Sequence, residues 1–462
     1  MKKIWVLLSL FGFLTCAPLM ALMADEAAAP QAIPAVAAPA AVQAPAAAAL
    51  APAKIDSGDT AWVLTSTALV MLMTFPGLAF FYGGLVRRKN VLSVLMQCSI
   101  AIGVISVQWV LFGYSLAFHP GTGFWGGFQW MGLHGVGFEP YVDYSATIPH
   151  QLFMIFQCMF AVITPALIIG AFAERMKFSA FLIFLILWAT FVYDPIAHWV
   201  WGMGGWLKNA GTLDFAGGTV VHINAGIAAI VTALIIGRRK GYGQPVPPHN
   251  LPFTVMGAGL LWFGWFGFNS GSALAANGLA VNAFVVTNTA AAAAGVMWAF
   301  IEWFHNGKPT TLGFATGAVA GLVAITPASG YVDVMGALAI GMGVSVICFI
   351  MVAFVKPKFG YDDSLDAFGV HGIGGIWGAL ATGLFATKAV NAAGADGLFY
   401  GNPAQFMIQL KAVLVTIVYS AVATMILYKL VDVVVGVRIE ERDELKGLDL
   451  TEHREAGYTV LE

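Results

Sequence analysis

The sequence predicts an all-α membrane protein with eleven transmembrane helices, arranged as a 5+5 inverted repeat followed by a long C-terminal helix. Three observations support this prediction. Of the 462 residues, 59% are apolar and 10% are charged, a composition outside the range of soluble globular proteins. From Asp59 onward, long apolar segments alternate with short polar breaks. A short histidine-containing frame occurs once in each half of the chain.

The remaining composition excludes several functions. The net charge of -2 gives no indication of a nucleic-acid partner. Cys98, Cys158 and Cys348 lie inside apolar runs without pair spacing, so neither a metal site nor a disulfide framework is predicted. We therefore expect no cofactor, and nothing in the composition indicates an enzyme.

The N-terminal residues are predicted to lie outside the fold. Lys2 and Lys3 precede an apolar run that is followed by small residues near Ala24, a pattern typical of a secretory signal peptide over residues 1–24. Residues 25–54 are almost entirely Ala and Pro and predict a disordered linker. We expect a transmembrane domain over residues 58–436 and a cytoplasmic tail over residues 437–462.

The apolar segments predict the spans directly. Each has at least about 17 residues, the lower end of the range for a helix that crosses a hydrocarbon layer. They lie near residues 61–84, 91–117, 149–172, 179–200, 216–237, 251–269, 282–304, 311–327, 332–355, 367–387 and 406–436.

Basic residues in the short loops predict the orientation. The loops that carry Arg87, Arg175, Arg238, Lys308 and Lys356 alternate along the chain with loops that are nearly free of Lys and Arg. The basic loops are therefore expected on the cytoplasmic side. A cleaved signal peptide places the mature N-terminus in the periplasm, and an odd number of spans places the tail in the cytoplasm.

The repeated frame reads V-H-x-x-x-G-I at residues 221–227 and 370–376. His222 falls early in the fifth span and His371 early in the tenth, so the frames occupy matching places in two five-helix halves. Repeats with an odd number of spans must be inverted across the membrane, and transporters of this plan hold their site between the halves. The I-T-P-A sequences at residues 163–166 and 325–328 are a second, weaker echo.

Ionisable side chains inside a membrane span are costly and usually face a partner or a cavity. If the fifth and tenth spans meet, His222 and His371 can share one hydrogen bond and both stay neutral. Such a pair offers one donor and one acceptor to a small polar solute. The alternative is two unrelated core histidines, each bonded to a backbone carbonyl.

Aromatic residues cluster toward the predicted external ends of three spans, at residues 156–160, 199–202 and 261–269. Trp and Phe faces attract cations, and Ser272 adds a hydroxyl acceptor. The alternative is an interfacial aromatic belt, which position alone favours.

Five motifs together resemble the ammonium transporter (Amt/MEP/Rh) superfamily, specifically a bacterial Amt protein. They occur in the family's order between about residue 58 and residue 458, and they lie at residues 82–87, 197–202, 214–224, 264–269 and 368–372. The family's eleven spans and inverted repeat agree with the predictions from charge and hydropathy.

The resemblance implies roles for individual residues. Phe160, Trp201 and Ser272 match the external site that recruits ammonium, and Phe160 and Phe268 match the phenyl gate below it. His222 and His371 match the twin histidines of the pore. Trp265 matches the indole packed beside them, and Asp214 matches a carboxylate that transport requires. The position of Asp214 before Gly217, Gly218 and Thr219 favours a structural role instead, in which its carboxylate caps the start of the fifth span.

The resemblance implies a mechanism in which ammonium loses its proton at the gate and ammonia crosses the pore. Two alternatives remain: an ammonium sensor with little flux, for which the short tail leaves no room for a signalling domain, and a channel for another neutral solute such as carbon dioxide. Asp194 departs from the family pattern and is expected to add negative potential to the external vestibule.

The tail over residues 437–462 resembles the tail of bacterial Amt proteins that dock the trimeric PII signalling protein. Composition alone favours a solvated charged terminus instead. The resemblance also implies a homotrimer in the bacterial inner membrane, with one pore in each subunit.

Overall fold

The computed structural model describes residues 53–244 and 246–458. The predicted signal peptide and all but the last two residues of the Ala/Pro linker lie outside the described residues. Within those residues, the only β-type contact is an isolated bridge between Met176 and Arg438, and the fold is otherwise helical. The prediction of an all-α protein is confirmed.

Eleven helices occupy the predicted places. In chain order they are α1 (Ser57–Leu85), α2 (Arg88–Phe118), α3 (His150–Phe172), α4 (Phe178–Asn209), α5 (Gly218–Ile236), α6 (Leu251–Ala273), α7 (Gly278–Asn306), α8 (Thr311–Ile325), α9 (Val334–Phe359), α10 (Phe368–Phe385) and α11 (Pro403–Val435). The long C-terminal helix is α11, with 33 residues.

Ten of these helices, in the described part of the chain, are long and apolar enough to cross a membrane. The other one, α8, has 15 residues and spans only about 23 Å at about 1.5 Å per residue. Ten of the eleven predicted spans therefore correspond to an apolar helix of spanning length. The count of eleven crossings is not confirmed, because α8 is shorter than the hydrocarbon layer.

Small residues let α8 approach α7 closely. A Cβ atom added to Gly317 would lie 2.5 Å from the Cβ atom of Trp298, and one added to Gly321 would lie 2.6 Å from the backbone oxygen of Ala290. Glycines spaced four residues apart provide this kind of close backbone contact between membrane helices. Tight packing thus holds the short helix α8 in the bundle.

The directions of α5 and α10 agree with an inverted repeat. Ile236 at the end of α5 accepts a hydrogen bond from Arg438 of the tail, so α5 ends on the face where the tail lies. Asp362 precedes the start of α10 and pairs with Arg239, so α10 begins on that same face. We call it the tail-bearing face. The two helices that carry the histidine frames therefore run in opposite directions.

The tail, residues 437–458 of the described chain, folds onto the tail-bearing face through α12 (Glu441–Lys446) and α13 (Leu448–Glu452). Three tail carboxylates accept backbone N–H groups at 2.6–2.8 Å: Glu444 from Lys240, Asp449 from Ser93 and Glu452 from Phe178. Glu444 and Asp449 are buried. The alternative of a solvated charged terminus is therefore wrong for these three carboxylates.

Candidate conduction pathway

Five rings form a continuous row through the interior of the bundle. The ring centroids are 5.9 Å apart for Trp201 and Phe160, 4.3 Å for Phe160 and Phe268, 6.1 Å for Phe268 and His222, and 5.4 Å for His222 and His371. Trp201 is half-buried and the other four are buried. Since Phe160 and Phe268 lie in the interior, the alternative of an interfacial belt is wrong for these two residues.

The two imidazoles face each other. Their rings are nearly parallel, at 16°, and the two Nδ1 atoms are 3.4 Å apart. This distance is long for a hydrogen bond, and one can form only if one Nδ1 carries a proton and the other does not. In the described part of the chain neither imidazole bonds to a backbone carbonyl, so the alternative of two unrelated core histidines is wrong.

The crossing of α5 and α10 explains why the histidines meet. A Cβ atom added to Gly226 would lie 2.2 Å from the Cα atom of Gly372, so the two backbones touch where each frame has a glycine. Each histidine lies in a wide helical turn, Gly218–Ile223 in α5 and Phe368–Gly372 in α10. Turns with this π-type bonding are frequent at functional sites.

Trp265 packs against the histidine pair. Its indole is stacked on His222 with centroids 5.3 Å apart and an angle of 19°. The indole Nε1–H donates to Thr326 Oγ1 at 2.8 Å, and the Thr326 hydroxyl donates to the backbone oxygen of Leu322. Sequence reasoning missed Thr326, although it lies in the I-T-P-A echo. This hydrogen bond fixes the plane of the indole and therefore the surface that His222 contacts.

The half-buried end of the row carries the predicted recruitment residues. The Trp201 indole N–H donates to the backbone oxygen of Asp214 at 2.9 Å, and the Trp201 ring meets the edge of Phe160. The Ser272 hydroxyl donates to the backbone oxygen of Phe268 at 2.8 Å. Because its proton is used there, the Ser272 oxygen keeps its lone pairs for an incoming N–H donor.

Asp214 caps the start of α5, as its position in the sequence predicts. One carboxylate oxygen accepts the backbone N–H groups of Gly217 and Gly218, at 2.8 and 2.7 Å. The other accepts those of Thr219 and Val220, at 2.8 and 3.2 Å. Four N–H groups that have no partner inside the helix are thereby satisfied.

Asp363 performs the same task for α10, and sequence reasoning missed it. Its carboxylate accepts the backbone N–H groups of Phe368 and Ala367, at 2.8 and 3.1 Å. Burial raises the pKa of Asp363 to about 6, an effect that nearby Lys356 opposes. Asp363 precedes His371 by eight residues, the same offset that separates Asp214 from His222. That repeated spacing was the available signal.

A small cavity of about 60 Å³ lies beside His371 and is lined by Tyr82, Thr316 and Asp366 among others. The Asp366 carboxylate pairs with Lys356 Nζ at 2.6 Å. The cavity thus joins the end of the ring row to a charged pair near the tail-bearing face. It provides space for water-sized molecules.

Asp194 does not face an open vestibule. Its side chain is fully buried between α2 and α4, and its Oδ2 accepts a hydrogen bond from Gln108 Nε2 at 2.8 Å. This burial does not support the expectation that Asp194 adds negative potential to the external vestibule, because the side chain has no exposed surface.

Apolar spanning helices around a row of rings and a buried imidazole pair define a multi-pass membrane protein with an internal pathway for a small solute. The model of the Ammonium Transporter Family matches residues 61–458. The ammonium transporter of Bacillus subtilis (strain 168) is 55% identical over 401 residues, which cover 87% of this chain and 98% of that protein. The ammonium transporter of Aquifex aeolicus (strain VF5) is 51% identical over 413 residues, which cover 88% and 95%.

Among solved structures, Saccharomyces cerevisiae Mep2 superposes with a TM-score of 0.79 at 36% identity, covering 84% of this chain and 89% of the Mep2 chain. The chain therefore belongs to the ammonium transporter family. It is a multi-pass membrane transporter, and ammonium transport is its general function.

Proposed function

We propose that the protein recruits ammonium at an aromatic site, removes its proton at the phenyl pair and conducts ammonia past the twin histidines. The observation that supports this most strongly is the order of the ring row. A half-buried indole comes first, a buried phenyl pair follows, and a buried imidazole pair ends the row. Trp201, Phe160 and Ser272 form the recruitment site in this proposal. Phe160 and Phe268 form the gate, and Trp265 supports the histidines.

The cost of moving a cation through an apolar pore supports this proposal. A bare cation in a dry pore meets a solvation penalty of tens of kcal/mol. Ammonium differs from potassium chiefly in its N–H donors, so the Ser272 oxygen and the Trp201 face together select it better than size can. Loss of the proton at the gate removes most of the penalty, because the species that then moves is neutral.

Proton balance leaves two transport modes. Ammonium yields ammonia and one proton, and ammonia takes up a proton again in the cytoplasm. If the released proton returns to the external medium, uptake is electroneutral. If it crosses separately through the histidine pair, uptake carries net charge. Current measured across a protein-containing membrane distinguishes the two modes.

Uptake of labelled methylammonium into proteoliposomes tests the proposal as a whole. We expect uptake that ammonium inhibits and potassium does not. Binding of ammonium without uptake would indicate a sensor instead. Carbon dioxide flux without methylammonium uptake would indicate a channel for another neutral solute.

Substitution of the histidines tests the mechanism. His222→Asp or His371→Asp places a carboxylate in the pore and should admit potassium, because the fixed negative charge offsets part of the cost of desolvating the ion. His222→Ala should lower ammonium flux without admitting potassium, since it leaves one imidazole unpaired. Rubidium uptake is measured for each variant beside the parent. Identical behaviour of the Asp and Ala variants would contradict the paired-histidine mechanism.

We further propose that the protein is a homotrimer of the bacterial inner membrane, with a periplasmic N-terminus and a cytoplasmic tail that docks a PII signalling protein. The support is the resemblance of the tail sequence, together with its folded position beside the basic loops. In this arrangement a partner bound to the tail also touches the loops that connect the pore helices.

A further inference from the structure

Two adjoining cavities open on the tail-bearing face, away from the ring row. The larger has a volume of about 550 Å³ and lies between the loop that follows α5 and the first residues of the tail. The smaller has a volume of about 180 Å³ and shares Arg239, Lys240 and Tyr242 with the larger. Cationic residues outnumber acidic ones in their lining: Arg87, Arg238, Arg239, Lys240, Lys356 and Arg438 against Glu174, Asp362 and Glu441.

The buried acids are already engaged. Glu174 pairs with Arg87 and Arg239 at 3.0 Å, and Asp362 pairs with Arg239 at 3.0 Å. The side chains of both acids are fully buried, so neither can neutralise a further cation in the cavity. Lys356 and Arg438 are paired as well, with Asp366 and Glu444, so the positive charge left for a ligand resides on Arg238 and Lys240.

Arg238 and Lys240 supply that charge. The Nε atom of Arg238 donates to the backbone oxygen of Gly360, and the guanidinium group lies 5.0 Å from the centroid of the Tyr242 ring. Arg238 is exposed and lines the larger cavity. Lys240 pairs with Glu441 at 2.7 Å, but these side chains are 41% and 64% exposed. An exposed pair of this kind contributes little and is readily exchanged.

We propose that the larger cavity binds a phosphate-bearing anion through Arg238 and Lys240. The anion replaces Glu441 as the partner of Lys240. A guanidinium fork matches the geometry of phosphate oxygens, and an ammonium group adds a point charge beside it. The volume lies within the range of small-molecule sites. The phosphate comes from a soluble compound or from the headgroup of an anionic lipid at the membrane surface.

The larger cavity lies between two separate segments of the chain, so a bound anion would contact both. Arg238, Lys240 and Tyr242 belong to the loop after α5, whereas Arg438 and Glu441 belong to the tail. Arg438 already bridges the two parts, since it donates to the backbone oxygen of Arg238 at 2.7 Å and pairs with Glu444 at 2.8 Å. An anion bound between the walls fastens the tail to the loop. Hydrogen exchange of the backbone in residues 438–446 should therefore slow.

Calorimetric titration of the purified full-length protein with inorganic pyrophosphate tests the soluble source. The double variant Arg238→Gln with Lys240→Gln should weaken binding at least about tenfold, because it removes both charge-assisted contacts. Glu441→Gln should strengthen binding about threefold, because it removes the competing carboxylate from an exposed pair. Lys308→Gln, which removes an exposed lysine that lines neither cavity, should leave binding unchanged.

A second arm tests the lipid source. The protein is placed in nanodiscs of phosphatidylcholine with or without phosphatidylglycerol, and hydrogen exchange of residues 438–446 is measured. Protection that appears only with phosphatidylglycerol, and that the double variant loses, supports a headgroup. The proposal is overturned if neither probe acts, or if the effects persist unchanged in the double variant and in Glu441→Gln. Methylammonium uptake, measured separately without phosphate, tests the transport proposal independently.

Discussion

Replacing Thr326 by valine should loosen the indole that stacks on His222. Trp265 and Thr326 are both fully buried, and the indole Nε1–H donates to the Thr326 hydroxyl at 2.8 Å. Valine has nearly the same shape as threonine but provides no acceptor. The substitution therefore leaves the Trp265 N–H without a partner and without access to water.

The size of the effect follows from that burial. A buried donor left unsatisfied costs about 1–3 kcal/mol of the free energy of unfolding. Thr382→Val provides a matched control, because Thr382 is also fully buried and its hydroxyl donates to the carbonyl four residues earlier, as that of Thr326 does. Thr326→Val should lower the free energy of unfolding more than Thr382→Val does, and the difference is the contribution of the indole hydrogen bond.

A double-mutant cycle with Trp265→Phe isolates that bond. The free energy of unfolding is measured by titration of the purified protein with sodium dodecyl sulfate, and methylammonium uptake is measured in parallel. Thr326→Val should cost little more than Thr382→Val once the indole is absent, and it should lower uptake only while Trp265 is present. A coupling energy below about 0.5 kcal/mol between the two substitutions would refute the reasoning, because Trp265 and Thr326 would then contribute independently to stability.

Three further predictions concern the entrance, the tail and the buried ion pairs. Trp201→Leu should weaken discrimination against potassium more than it lowers maximal flux, because a cation loses its aromatic face; unchanged selectivity in competition assays would remove Trp201 from the site. Deletion of the residues after Val437 should abolish PII binding and lower uptake, and Asp449→Ala should lower uptake more than Asp443→Ala, whose side chain is partly exposed. Co-purification of PII with the truncated protein would contradict the docking proposal. Burial alone would raise the pKa of Glu174, but Arg239 and Arg87 hold that pKa below 4.5. The contribution of Glu174 to stability is therefore present above pH 4.5 and is lost as the pH falls further. Glu174→Gln should therefore lower the free energy of unfolding at pH 7 by about 3–5 kcal/mol. Below pH 4.5 the variant should lose less stability than the parent. Parallel pH profiles of the free energy of unfolding for the two proteins would contradict the contribution of the ion pairs.

The helix positions could be predicted from the sequence because a membrane span requires an uninterrupted apolar length. The predicted spans near 61–84, 149–172 and 367–387 match α1, α3 and α10 within a few residues. The contact between His222 and His371 could also be predicted, since each frame places an ionisable side chain where only a partner makes it tolerable. The roles of the ring residues rest on the resemblance and stay predictions.

Other features left no trace that hydropathy could detect. Glu444, Asp449 and Glu452 of the tail bind backbone N–H groups, and any residue except proline supplies such a donor, so the docking of the tail has no matching pattern in the loops. The burial of Asp194 depends on Gln108 in a neighbouring helix, which lies 86 positions away in the chain.

The repeated spacing of Asp214 with His222, and of Asp363 with His371, gives the two halves a common electrostatic design. Each aspartate accepts hydrogen bonds from N–H groups at the start of the helix whose first, wide turn carries the histidine. An uncapped helix start offers exposed N–H groups and partial positive charge, which would bind anions and repel a cation. Because α5 and α10 run in opposite directions, one such start lies toward each face. The carboxylates thus remove an anion site from both ends of the row, on either side of the buried imidazoles.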